Sequence, residues 1–307
     1  MSIFLLPVII ILIAAPFIAE RRRKPMSTET RKGAAGRFAN LPSGVTHYQW
    51  HGPKDGAVAV CVHGLTTPSY VWDALVVGLN RMGYRVLTYD LYGRGYSDSV
   101  KGAQDAEFFN RQLEELLLDQ KVDGGIMLIG YSMGGAIATC YGAKHPEMLE
   151  RLILLAPAGL GITQGRLPTF VRNTPIVGDW IMMVLGGWFI RKGLKTASNT
   201  PSEVPNVYDM QAADTLVQGF LPAILSSQRN LLANELVKEH KTLAKSAVPI
   251  AAIWGEADTV IPLSGLGKLT AINHTARQTM IPDAPHSLPH SHPHQVIIAI
   301  QEFLREV

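Results

Sequence analysis

From residue 37 onward, short apolar runs alternate with stretches of helical periodicity, an order that predicts a mostly parallel sheet with helices on both faces. Residues 37–41 and 45–51 read as a hairpin turning at Pro42-Ser43-Gly44. The run 57–62 is continuously apolar, as a strand covered on both faces must be. A helix over 71–81, closed by Gly83, leads to a strand over 84–89, and a helix over 105–121 leads to a strand over 126–129. A Gly/Ala-rich helix then runs to His145, where Pro146 stops it, and a strand follows over 152–156. Residues 157–247 break the alternation and read as a helical insertion, being too long for a simple crossover. The pattern resumes with a strand over 249–254, a helix over 262–273, a strand over 278–281 and a last helix over 293–305. The body thus divides into a core over 37–156 and 248–307 with an insertion over 157–247.

Ahead of this body lie 17 consecutive uncharged residues, 3–19 (IFLLPVIIILIAAPFIA), followed at once by Arg21, Arg22, Arg23 and Lys24. As a helix the run would span about 26 Å, at the lower limit for a hydrocarbon core of ~30 Å. No base precedes it, and cleavage after Ala19 or Ala15 would put the large Phe17 or Ile13 at the −3 position, so it does not read as a secretory signal. Basic flanks stay on the cytoplasmic side, so the expectation is a single-pass membrane anchor with the body in the cytoplasm. Pro7 and Pro16 interrupt the helical ladder, although membrane helices tolerate proline better than soluble ones. On this reading residues 1–24 are anchor and basic flank, and the polar, Gly/Ala-rich residues 25–36 are a tether.

Composition and charge sharpen this division. With 307 residues, 47% of them hydrophobic, the chain can bury a core, and two cysteines exclude a disulfide scaffold. Residues 20–37 hold seven bases against two acids, while the whole chain carries only +3, so the remainder has two net negative charges. Nucleic-acid binding needs a basic face that neutralises phosphates, and no such excess is left in the body. Cys61 and Cys140 fall in a predicted strand and helix, where free cysteines behave as small buried hydrophobes.

Candidate chemistry begins at Gly130-Tyr131-Ser132-Met133-Gly134, set between an apolar strand and a helix. A sharp strand-to-helix turn pushes a serine hydroxyl out of the backbone, and the helix N-terminus supplies positive potential and free N–H groups. A serine hydroxyl is a weak nucleophile at neutral pH, so a base and a group to orient that base are needed elsewhere. Candidate acids are Glu256, Asp258 and Asp283, and candidate bases are His286, His290, His292 and His294. The histidine cluster also invites a metal reading, but Pro289 and Pro293 break the helical face a His pair would need, so no metal or cofactor is expected. His47, His51, His145, His240 and His274 read as surface or packing residues.

Over about residues 44–305 the chain resembles the α/β-hydrolase family, and separated motifs carry the resemblance. They are Val62-His63-Gly64-Leu65, Asp90-x-x-Gly93-x-Gly95-x-Ser97-Asp98, the Ser132 turn, and Gly255-Glu256-Ala257-Asp258 with Pro285-His286. The order Ser, Asp, His is the order of this fold. The resemblance implies Ser132 as nucleophile, His286 as general base and Asp258 as its orienting acid. It implies an oxyanion hole from the backbone N–H groups of Leu65 and Met133, with His63 supporting the loop. Relatives that open epoxides or remove halogens carry Asp in place of Ser132, so those reactions are disfavoured.

The family commonly places a cap over the site where residues 157–247 lie. Within it, residues 180–190 (WIMMVLGGWFI) are too short to span a membrane. This segment, from Trp180 to Ile190, reads as a cap helix against an acyl pocket or as a lip dipping into the bilayer interface. Both imply an apolar substrate. Anchor, cap and triad together resemble most the anchored monoacylglycerol-lipase type, which implies a small-molecule lipid-like ester as substrate. The alternatives are a carbon–carbon bond hydrolase or cofactor-free perhydrolase using the same triad, and a non-catalytic ligand receptor on the hydrolase fold.

Overall fold

The computed structural model describes residues 2–306, with side chains for all of these except residues 2–6 and 8. Eight strands form one sheet: β1 (Arg37–Leu41), β2 (Gly44–His51), β3 (Val58–Val62), β4 (Arg85–Tyr89), β5 (Ile126–Tyr131), β6 (Leu149–Leu155), β7 (Ile250–Gly255) and β8 (Arg277–Ile281). Their spatial order is β1-β2-β4-β3-β5-β6-β7-β8. β1 and β2 pair as the expected hairpin, β2 joins β4 antiparallel, and the remaining pairings are parallel. Parallel neighbours require long crossovers, which is why helices separate the later strands. β6 begins at Leu149 rather than at 152, because Leu149 already pairs with Ile126 through an irregular register.

Helices α1 (Ser2–Arg21) and α2 (Thr28–Arg31) precede the sheet, and α3 (Asp73–Arg81), α4 (Ala106–Asp119) and α5 (Met133–Lys144) serve as crossovers. Between β6 and β7 lie α6 (Arg166–Asn173), α7 (Val177–Ile181), α8 (Gly187–Ala197), α9 (Val207–Asp214), α10 (Phe220–Arg229) and α11 (Val237–Leu243). α12 (Ser264–Ile272), α13 (Leu288–Ser291) and α14 (Pro293–Glu306) complete the core. α4 shows how the pattern folds: the Asp105 carboxylate accepts the Phe108 N–H as an N-cap, and Phe109, Leu113 and Leu116 recur at helical spacing on the buried face. All of β5 and β7 is buried, as strands covered on both faces are. α5 packs on β3, β5 and β6, while α3 and α14 pack together over β4, β7 and β8. Cys61 and Cys140 are free and buried.

The N-terminal segment departs from expectation. Among the described residues no helix is long and apolar enough to cross a membrane, so the expected anchor at 3–19 has no support there. Instead α1 lies against the insertion, packing on α7 and on the π-helical turn Met182–Gly186 that joins α7 to α8. The Trp180 indole N–H donates to Leu12 O at 2.7 Å, and the Glu20 carboxylate accepts the Gly219 N–H. Lys24 pairs with the Leu216–Gln218 backbone in both directions. These bonds fix residues 12–24 to the body, where a spanning helix would project from it. Residues 25–36 are likewise held, since α2 is capped by Ser27 and Arg31 binds Tyr96 O and the Asp98 carboxylate.

One buried ion pair braces the sheet where β2 meets β4. The His47 ring donates from Nδ1 to Asp90 at 2.7 Å and from Nε2 to Ala35 O, two acceptors that only an imidazolium can satisfy together. Asp90 also accepts the Ser69 and Tyr96 N–H groups, so its charge is fully used. Burial alone would lower the His47 pKa, but the hydrogen bond and charge of Asp90 outweigh it and raise the value above 6.5. Burial likewise acts to raise the Asp90 pKa, yet His47 and the Ser69 N–H bring it down to about 2. His47 was expected as a surface or packing residue, and the structure gives it this bracing role.

The stability that His47 contributes is complete below its unfolded pKa of 6.5 and is lost as pH rises through the higher folded value. The contribution of Asp90 is present above its ordinary 3.8 and is lost as pH falls toward 2. We expect His47→Gln to cost about 3 kcal/mol at pH 6 and less at pH 9, as read by urea unfolding at the two pH values.

Candidate active site

β5 runs directly into Ser132 and then α5, and this abrupt change of direction sets the backbone of Ser132 at φ 55° and ψ −117°. A non-glycine residue is strained there and persists because its surroundings enforce it. Ser132 N–H donates to Leu155 O at 2.9 Å, and Ser132 O accepts from Gly135 and Ala158. The flanking glycines follow from close approach: a Cβ on Gly134 would lie 2.0 Å from Val62 O, and one on Gly130 would lie 2.3 Å from Gly134 O.

The structure brings Ser132, His286 and Asp258 into one hydrogen-bonded line. His286 Nε2 is 2.9 Å from Ser132 Oγ, and His286 Nδ1 is 2.8 Å from Asp258 Oδ2. The Asp258 side chain is 1% exposed, and its other oxygen accepts the Val260 and Ile261 N–H groups at 2.7 and 2.8 Å. With its acceptor sites filled by donors, Asp258 holds Nδ1 protonated and leaves Nε2 free to take the Ser132 proton. Tyr131 O–H donates to His286 O at 3.1 Å and lays its ring beside the imidazole.

The competing residues are employed elsewhere. Glu256 accepts the Asp283 N–H, so these two acids close the turn after β8. His290 Nδ1 is bonded to Ser202 Oγ, and His292 Nδ1 to Ser291 Oγ. His240 is fully buried with neither ring nitrogen bonded, and desolvation holds it neutral with a pKa near 4.

Leu65 and Met133, the two residues expected to offer oxyanion N–H groups, flank the serine. Met133 opens α5, so its N–H has no acceptor within the helix, and the Leu65 N–H has no backbone acceptor among the described residues. A Cβ on Gly64 would stand 3.3 Å from Ser132 Cβ, which puts this loop directly against the nucleophile. His63 stabilises the loop: Nε2 accepts the Leu91 N–H, so Nδ1 donates to Gly64 O, and burial lowers its pKa to about 4. Two free N–H groups beside a serine can stabilise a developing alkoxide, each contributing about 2.7–4 kcal/mol.

Ser132 and His286 open on to a cavity of about 570 Å³ whose wall is completed by residues of the insertion, which we term the cap. Leu65, Ile162, Leu194, Leu232, Val260 and Ile261 give it apolar walls, and among the described residues no Asp, Glu, Lys or Arg lines it.

Arg94 was not singled out in the sequence, yet it joins cap to core. It is 1% exposed and uses all five N–H groups: Nε to Leu65 O, Nη1 to Tyr92 O and Gln104 Oε1, Nη2 to Ala223 O and Ser227 Oγ. One guanidinium thereby holds the Leu65 carbonyl, in the loop beside the serine, and two acceptors on α10. The signal available in the sequence was a base inside the Asp90-x-x-Gly93-x-Gly95 run. A second tie from cap to core runs from Tyr70 O–H to Asp214 at 3.1 Å.

A profile of the family described as serine aminopeptidase, S33, matches residues 53–290. Epoxide hydrolase 3 of Xenopus tropicalis is 24% identical over 299 residues, covering 91% of this chain and 80% of that protein. A bifunctional esterase/perhydrolase of Acinetobacter calcoaceticus is 23% identical, covering 79% and 89%. Among solved structures, a thermophilic esterase from Thermogutta terrifontis superposes with a TM-score of 0.71 at 22% identity, covering 89% of this chain and 99% of that one.

Arg94→Met removes all five of these hydrogen bonds from a buried site, so we expect a loss of about 3 kcal/mol or more in unfolding free energy. Arg94→Lys keeps the charge with only three donors and should fall between. Thermal unfolding of the three proteins side by side checks the order.

Proposed function

This α/β-hydrolase belongs to the serine aminopeptidase S33 family, and we propose that it cleaves carboxylic esters of apolar, lipid-like substrates of the monoacylglycerol type. The observation that carries the reading is the line Asp258–His286–Ser132 at hydrogen-bond distance, beside a cavity with uncharged, largely apolar walls. Ser132 Oγ attacks the ester carbonyl as His286 takes its proton, and the Leu65 and Met133 N–H groups receive the oxyanion. His286 then gives the proton to the leaving alcohol, and a water activated by the same imidazole releases the acid from the acyl-enzyme. Asp258 keeps the tautomer and stabilises the imidazolium. The uncharged lining speaks against an anionic dienoate, whose carboxylate would find no cation in the cavity.

In the same proposal the enzyme works at a lipid surface, lying on it and not spanning it. Ile10, Ile11, Ile13 and Phe17 of α1 are exposed, as are Ile176 and Trp188 of the neighbouring cap segment. Arg21 ends α1, Arg22 and Lys24 follow it, and Lys192 sits over the Trp188 ring at 5.2 Å. An apolar face edged by bases suits an interface with anionic head groups, and the cytoplasmic leaflet is the side this proposal assigns.

Labelling by a fluorophosphonate should vanish in Ser132→Ala, and Asp258→Asn should lower kcat on a p-nitrophenyl ester roughly 10⁴-fold. Unchanged labelling of Ser132→Ala would overturn the assignment. Ile11→Glu combined with Trp188→Glu should reduce cosedimentation with phosphatidylserine vesicles while leaving turnover of a soluble ester intact.

A further inference from the structure

The cavity beside Ser132 contains polar side chains that the fold itself does not use. Gln211 on α9 is 5% exposed, lines the cavity and has no hydrogen-bond partner for its amide among the described residues. Thr67, 6% exposed, also lines it without a side-chain partner, and the Oε1 of Gln164 is buried there unbonded.

His290, 2% exposed, completes the set, and its tautomer can be read from its neighbours. Ser202 Oγ donates its proton to Val204 O, so it can only accept from His290 Nδ1. Nδ1 is therefore the protonated nitrogen, and Nε2 carries a bare lone pair with no protein partner. Burial and the neighbouring His286 keep this imidazole neutral, with a pKa near 4. The Tyr208 ring meets it edge-on and fixes its plane.

We propose that Gln211, His290 and Thr67 form a subsite for a neutral, hydroxyl-bearing group of the substrate, with His290 Nε2 accepting a substrate O–H. This rests on the ester-hydrolase reading of Ser132. A buried amide and a bare imidazole nitrogen are costly to leave unpaired, and an unsubstituted alkyl group would leave them so. A charged group would enter a cavity that offers no counter-charge. A polyol meets both conditions, because hydroxyls give and take hydrogen bonds without charge. The hydroxyls can belong to the leaving alcohol, as in a glyceryl ester, or to the acyl part, as in a hydroxyacyl ester. The apolar wall of Ile162, Leu194 and Val260 takes the remaining chain in either case.

The test separates binding from turnover. Ser132→Ala protein is titrated calorimetrically with 1-O-hexylglycerol and with hexyl ethyl ether, neither of which can be hydrolysed. The subsite predicts tighter binding of the glycerol ether, by on the order of tenfold, and loss of that preference when Gln211→Leu or His290→Phe is added. Equal binding of the two ethers, or a preference that survives both substitutions, counts against an alcohol-side subsite. Active enzyme then compares kcat/KM for glyceryl butyrate, ethyl butyrate and ethyl 4-hydroxybutyrate. Preference for the first or the third assigns the hydroxyl to the alcohol or the acyl side, and its loss in Gln211→Leu supports the subsite. The inference is overturned if neither ether titration nor turnover distinguishes hydroxylated from plain ligands. Fluorophosphonate labelling of Ser132 in the single variants reports that each is folded. If the glycerol ether is preferred while no ester is turned over, the subsite stands and the hydrolase reading falls.

Discussion

The left-handed backbone at Ser132 is the constraint from which the other parts of the site take their positions. A chain leaving β5 and entering α5 within one residue must turn sharply, and the turn fits only because Gly130 and Gly134 let backbones approach closer than any side chain allows. That strain is offset by bonds to Leu155 at the end of β6 and to Ala158 just after it, so the neighbouring strand and its following loop hold the serine in place. Its consequence is chemical: Oγ meets His286, and Met133 opens α5 immediately after it. Pre-organisation of this kind acts before substrate arrives, so the reaction need not reorient donors as charge develops.

Around this fixed point the supports differ in kind. Asp258 is held by backbone N–H groups and behaves as part of the β7 loop, while His286 is steadied by Tyr131 beneath it. The loop of Leu65 depends on His63 on one side and Arg94 on the other. The His47–Asp90 pair orders the start of the segment that carries Arg94, so an ion pair on the hairpin side of the sheet bears on the cap. His63 and Arg94 do not line the cavity, yet both hold the loop that carries the Leu65 N–H.

Much of this was legible in the chain. The succession of strands and helices, the insertion and the Ser-Asp-His candidates follow from apolar periodicity and from short motifs at strand ends, where backbone geometry restricts the residue types. The choice of Asp258 over Glu256 rested on the resemblance, and that of His286 over His290 on its place just past the last strand; in the structure Asp258 and His286 are bonded to each other, while Glu256 and His290 bond elsewhere. What stayed hidden depends on contacts between distant segments. Residues 3–19 carry a strong apolar signal, but sequence does not show that Trp180, Gly219 and Leu216 are waiting to bind their C-terminal half and the residues after it. Arg94 and His47 look like ordinary polar residues until their partners, far away in the chain, are placed around them. The polar members of the cavity wall were likewise invisible, because Gln211 and His290 belong to separate helices.

The sharing of Arg94 between cap and core bears on how freely the insertion can be exchanged. A helical segment of 157–247 taken from a relative would bring its own α10, and with it whatever stands at positions 223 and 227. Position 223 supplies a main-chain carbonyl that any residue in the same backbone path provides, whereas position 227 supplies a hydroxyl that only a few residues can. A transplanted cap lacking that hydroxyl would leave a buried guanidinium proton unanswered and loosen the loop next to the nucleophile. Cap and core in this protein are therefore matched halves of one joint, and chimeras succeed to the extent that the joint travels with them.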